Sequence, residues 1–188
     1  MVSFSDLHFV PEAAVVACDL HYIMLPRQMQ VWAYISPDYS EERAVYAMAQ
    51  GMPGRLCLSG DLAGCSENIW EIVKNGTAFY ERIKSVIKDG KTISINTEGI
   101  TSLCNLHSSF SLTRVSGDGQ LALFYAFRVR GKEEYIEGRL PACYRPIAQY
   151  GRGRVSVNAN TVMVSPTETD TFATVVLLEK TTGTEERK

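Results

Sequence analysis

The hydrophobic period of this chain changes once, just past Ile87, and that change limits what it can fold into. The stretch Gly54–Ile87 sits at the change. It holds a short apolar strand, a Gly-Asp loop and the longest helical pattern in the sequence. Upstream, short apolar strands alternate with helical patterns. Downstream, from Lys91, apolar residues recur at every second position and no helix is legible.

The upstream part reads as strand–helix three times over. MVSFSDLHF begins as a strand, with Val2 and Phe4 alternating against serines. Pro11 is placed as a first helical residue, where its missing N–H costs nothing. Ala13, Val16, Ala17, Leu20, Ile23 and Met24 follow at helical spacing until Pro26 stops them. MQVWAYI at 29–35 is a strand without strict alternation, which predicts burial on both faces. Asp38 and Glu41 suit a capping box for a helix over 39–50, ended by Gly51 and Pro53. RLCLS at 55–59 is the third strand. Ser66 is placed to cap the long helix that follows, with Glu67 complementing its dipole. Gly76 falls on the apolar face of that helix and weakens it by about 1 kcal/mol relative to Ala, which predicts a close neighbour packed over it. Short connections between such units imply right-handed βαβ crossovers and a parallel sheet.

The downstream part offers KTISIN, SFSLTRV, QLALFYAFRV, EYIEGRL, RVSVNA, TVMVS and FATVVLLE as strands, with turn signals at SGDG (116–119) and YGRG (150–153). Short strands without helices predict an antiparallel β-sandwich. The expected fold class is therefore α/β followed by all-β, divided into residues 1–87 and 88–188. Hydrophobic residues make up 45% of the 188 and charged residues 21%, which excludes wholesale disorder. A net charge of −2 argues against a nucleic-acid partner. No apolar run approaches the roughly 20 residues that span a bilayer, so no membrane partner is expected. No signal peptide is legible, and five cysteines without tight spacing point to a reducing, cytoplasmic setting.

Three βα units are an incomplete object, because a three-stranded parallel sheet leaves open edges and a closed (β/α)₈ barrel takes about 250 residues. SFSDLH, PRQMQVWA and GRLCLSGD, the last followed by a helix carrying Trp70, together resemble the C-terminal part of glycoside hydrolase family 36, the α-galactosidase (melibiase) family. The resemblance covers residues 1–87 by motif and 88–188 by architecture. It implies that residues 1–87 are the last three βα units of a TIM barrel and that 88–188 are the β-sandwich that follows it. In that reading the acidic residue of the SFSD-type motif, Asp6, is the general acid/base of a retaining glycosidase. The nucleophilic carboxylate belongs to an earlier strand and has no counterpart here, so the chain is expected to be inactive alone. The partner implied is an oligosaccharide with terminal α-galactose; family members also often form homo-oligomers. Hydrolysis of galactosides, galactosyl transfer as in plant raffinose synthases, and a preference for N-acetylgalactosamine all fall within the family.

Elementary chemistry gives these residues second readings. A lone Asp after a strand is by spacing a turn or cap residue, yet a carboxylate at the carboxyl end of a parallel strand also sits where barrels place catalysis. His8 is a rim residue near the sugar or a solvated loop histidine. Ser59, Gly60 and Asp61 follow the third strand toward the same end, where Gly60 admits a close backbone approach and Asp61 can accept from sugar hydroxyls; the other reading is a tight strand-to-helix turn. Trp32 stacks on a sugar or fills the core. Arg27 is read as tethering a helix end on the opposite side.

Two C-x-x-H pairs, Cys18 with His21 and Cys104 with His107, have zinc-ligand chemistry but lie in different parts of the chain, and no metal is expected. No cofactor is expected either, since YGRGR lacks the strand-to-helix context of a phosphate loop. Asn75-Gly76-Thr77 matches a glycosylation sequon inside the long helix and is read as chance. The alternative function is a non-catalytic carbohydrate-binding or interaction module, with Phe124, Tyr125 and Phe127 as a binding strand. Alternation puts Phe124 on the opposite face from the other two, so at least one set is core.

Overall fold

A computed structural model describes residues 2–3, 11–97, 100, 106–167 and 169–181. Its first half holds β1 (Val2–Ser3), α1 (Ala13–Asp19), β2 (Met29–Ile35), α2 (Glu41–Gly51), β3 (Arg55–Gly60) and α3 (Glu67–Asp89). The three strands form a parallel sheet in the order β1-β2-β3. Eight strands follow: β4 (Lys91–Asn96), β5 (Ser108–Val115), β6 (Leu121–Val129), β7 (Ile136–Arg139), β8 (Tyr144–Gly151), β9 (Arg154–Asn158), β10 (Thr161–Ser165) and β11 (Thr171–Lys180). They make a five-stranded sheet, β4-β5-β6-β11-β8, and a three-stranded one, β7-β10-β9. The pairings within both are antiparallel. This mixed arrangement is consistent with a β-sandwich preceded by βα units. No helix among the described residues is long and apolar enough to cross a membrane.

The five-stranded sheet is buried on both faces. Phe124, Ala126, Val176 and Leu178 meet Ile136, Val162 and Val164 of the small sheet. Leu123, Tyr125, Phe127, Val175 and Leu177 point the other way and pack with Tyr46, Met48, Ile83 and Val86 of α2 and α3. Period two with both faces covered is why β6 and β11 read as nearly unbroken apolar runs. Phe124, Tyr125 and Phe127 are each fully buried, so the aromatic strand is no sugar-binding face: both sets are core. Tyr125 also donates its hydroxyl to the Met52 carbonyl at 3.3 Å, which ties the sheet to the end of α2.

Local signals placed α3 well. Ser66 is its N-cap, its hydroxyl accepting from the Ile69 N–H at 3.4 Å. Ile69, Val73, Phe79, Ile83, Val86 and Ile87 are buried along one stripe, each contributing about 1.5–3 kcal/mol on removal from water. Gly76 has the expected neighbours: a Cβ there would stand 2.7 Å from Met48 Cε and 3.1 Å from the Tyr150 ring.

Four expectations need correction. The cap of α2 is Ser40, which accepts from the Arg43 N–H at 3.3 Å, rather than Asp38, and the helix begins at Glu41. The first helix stops at Asp19 and tightens into a 3-10 turn over Leu20–Tyr22, which brings His21 onto β4. Strand β2 alternates after all: Met29, Val31, Ala33 and Ile35 are buried, while Gln30, Trp32 and Tyr34 are half-buried. Strand β8 is legible only in the structure, because Pro146 argues against a strand. It is tolerated on the sheet edge, where the pairing with β11 is interrupted at Leu177/Leu178.

Candidate functional site

Parallel strands bring their carboxyl ends to one end of the sheet, and that end is where α/β folds assemble sites. Beyond β1 lie Asp6 and His8, which fall outside the described residues. Beyond β2 runs the turn to Ser40, and beyond β3 come Gly60 and Asp61.

The register decides which side chains share a face. Trp32 pairs with Cys57 and Tyr34 with Ser59. All four therefore lie on the side opposite Ala33 and Ile35, which are buried with the helices. Each is half-buried. Trp32 and Ser59, singled out separately in the sequence, thus belong to one surface. Tyr34 and Cys57 join them; strand alternation applied to 29–35 and 55–59 was the signal for both. The Ser59 hydroxyl oxygen is buried and has no hydrogen-bond partner among the described residues. Leaving such a group unpaired costs about 1–3 kcal/mol, which marks this end of β3 as a place where a further polar contact is favourable.

The loop after β3 is held by its own bonds. Gly60 has φ +99°, and a Cβ would lie 1.9 Å from the Ile35 carbonyl oxygen, so the glycine is required by the neighbouring strand. The Asp61 carboxylate accepts from the Gly64 N–H at 3.0 Å, and its carbonyl accepts from the Cys65 thiol at 3.2 Å. Burial, and then the Asp61 charge, push the Cys65 thiol above its usual value, so it stays protonated. Asp61 itself is exposed and keeps acceptor capacity beyond the turn.

The Cys-His pairs have another role. His21 donates from Nε2 to the Pro53 carbonyl at 3.0 Å, and its Nδ1 accepts from the Thr92 hydroxyl at 2.9 Å. Arg114 Nη1 stands 3.3 Å from the same Nδ1 and donates to Thr92 Oγ1 at 2.7 Å. Burial first, and the guanidinium second, lower the His21 pKa to about 3, so the ring is neutral with both nitrogens engaged. The Cys18 thiol is fully buried and pushed upward by that burial. Cys104 lies outside the described residues. Among the described residues no cluster of three or more His, Cys, Asp or Glu is placed to hold a metal ion. Arg27 is exposed beside β2 and lines none of this.

The sequence matches no family model and no curated protein. Solved structures do match. The α-galactosidase AgaA of Geobacillus stearothermophilus, of glycoside hydrolase family 36, superposes in a variant complexed with raffinose at TM-score 0.64 and 15% identity, over 89% of this chain and 24% of that one. Another AgaA variant was solved with stachyose, at TM-score 0.62 and 14% identity over the same shares of the two chains. The galactosidase domain of the α-galactosidase–sucrose kinase AgaSK gives TM-score 0.63 at 12% identity, over 89% and 25%. The α-galactosidase of Lactobacillus brevis gives 0.57 at 16%, over 85% and 23%. The chain spans about a quarter of the length of these enzymes. At such identities the likeness is one of fold, and the chain has the fold of a part of a family 36 α-galactosidase.

Proposed function

We propose that this chain is the C-terminal part of a retaining glycoside hydrolase acting on terminal α-galactosides. Residues 1–87 form the last three βα units of its barrel, and 88–188 its closing β-sandwich. The observation that carries the reading is the match of nearly the whole chain, helices and antiparallel sheets together, to a quarter of several family 36 α-galactosidases. The complexes of AgaA variants with raffinose and stachyose support an oligosaccharide ending in α-galactose as the ligand.

In this reading Asp6 protonates the leaving oxygen and then deprotonates the attacking water. A retaining mechanism needs a second carboxylate about 5–5.5 Å away as nucleophile, and that group comes from an upstream strand, so the chain alone does not turn over substrate. Trp32, His8 and the Ser59-Gly60-Asp61 loop line the galactose. The half-buried face shared by Trp32 and Ser59, with its unpaired hydroxyl, supports that assignment.

The test is Asp6→Asn in the complete enzyme. Turnover of raffinose, whose leaving group needs a proton, should fall by about 10²–10⁴-fold, the usual worth of a general acid. An activated aryl α-galactoside should lose far less in its first step. Equal loss of that step on both substrates contradicts the acid/base role.

A further inference from the structure

A second concave surface lies on the helix-covered side, between α3 and the turn that joins β8 to β9. It is a groove of about 490 Å³, within the range of small-ligand sites (about 300–1,000 Å³). One wall is α3, where Asn75, Phe79 and Arg82 recur at helical spacing; the other is the segment from Gln149 to Arg152. Val45 and Ile72 help form an apolar floor.

The β8 wall is fixed by bonds within the chain. Arg152 is held by Glu41 at 3.1 Å and Glu42 at 3.4 Å. The two N–H groups of the Gln149 amide are shared among the carbonyls of Gly151 at 3.3 Å and Gly153 at 3.1 Å and Thr174 Oγ1 at 3.1 Å, while its oxygen has no hydrogen-bond partner among the described residues. The Tyr150 hydroxyl donates to the Ile72 carbonyl at 3.2 Å while its ring packs on Phe79. The α3 wall is different. Asn75 and Arg82 are exposed and make no hydrogen bond or ion pair among the described residues. One wall is thus tied by bonds within the chain, and the other offers donors that a ligand can engage.

Charge selects the ligand class. Glu41 and Glu42 both pair with Arg152, which leaves the exposed Arg82 as the one uncommitted charge lining the groove among the described residues, too little to hold a polyanion and of the wrong sign for a cation. What remains is an apolar floor, two neutral amides and a guanidinium at hydrogen-bonding range. That combination suits the CH faces and hydroxyls of a sugar. We propose that this groove binds a neutral oligosaccharide, at a site separate from the carboxyl end of the parallel strands. The proposal does not require the glycosidase reading, since it uses none of Asp6, Trp32 or Ser59.

The experiment is an amide chemical-shift titration of the intact chain with stachyose and, as a galactose-free probe, maltotetraose. Saturable shifts at residues 72–82 and 149–152 are expected with at least one of them. Arg82→Ala should weaken that titration about tenfold, the worth of one hydrogen bond to a charged donor. Both Arg82 and Asn75 are exposed, so their replacement leaves the fold intact. The proposal is overturned if neither sugar moves those amides, or if Arg82→Ala and Asn75→Ala both leave the titration unchanged. Shifts confined to residues 32–36 and 57–61 also overturn it, while supporting the site at the strand ends.

Discussion

Arg114 is the residue on which the two halves of the chain turn. It projects from the helix-facing side of β5, is 1% exposed, and makes no ion pair with a carboxylate among the described residues. Its Nη2 instead donates to the Ile87 and Gly90 carbonyls at 2.9 and 2.7 Å, at the carboxyl end of α3. A cation there completes the orphan carbonyls and complements the helix dipole. Arg114→Met should cost at least about 3 kcal/mol in urea denaturation, because several buried acceptors lose their donor at once. A loss under about 1 kcal/mol contradicts the clasp. His21 extends it toward Pro53 and predicts a pH dependence. Its folded pKa, about 3, lies below the ordinary 6.5, so the unfolded chain binds the proton more readily. The stability it contributes is whole above pH 6.5 and is lost as pH falls toward 3. His21→Gln should therefore show a shallower fall in urea midpoint between pH 7 and pH 4 than the parent; parallel curves speak against a buried neutral ring.

At the scale of elements, what was legible depended on how local the signal was. Ser66, the stripe from Ile69 to Ile87 and the strand at 29–35 carry their information within one turn or one strand, and all three formed where the sequence put them. Ser66→Ala should cost about 1 kcal/mol. The sandwich strands were equally readable from period two, whereas β8 was hidden by Pro146, whose tolerance depends on lying at an edge that only the assembled sheet defines. The shared face of Trp32 and Ser59 could be anticipated from alternation once the pairing of β2 with β3 was fixed. The groove beside Arg82 could not, since it depends on how α3 sits against β8. Gly76 lies at that contact. Gly76→Val should destabilise by about 1–3 kcal/mol, because Tyr150 is pinned by its bond to Ile72 and cannot retreat. A stabilised variant would mean that the ring moves freely.

At the scale of the molecule, one buried cluster runs from α1 through α2 and α3 into the five-stranded sheet, so the sheet's helix-facing side is also the helices' support. The parallel sheet, by contrast, ends at β3, whose outer edge Tyr80 occupies only at its start. There its hydroxyl accepts from the Leu56 N–H and donates to the Gly54 carbonyl. The proposed parent enzyme supplies the strand that continues this sheet and the nucleophile that completes the chemistry. The most direct measurement is the time course of aryl release by the complete enzyme carrying Asp6→Asn, with an activated aryl α-galactoside. With the acid/base removed, the first step needs little protonation while hydrolysis of the glycosyl-enzyme lacks its base. A burst of about one equivalent of aryl product followed by a slow steady state is expected, with the galactosyl-enzyme accumulating. A linear time course at the parent's rate would contradict it.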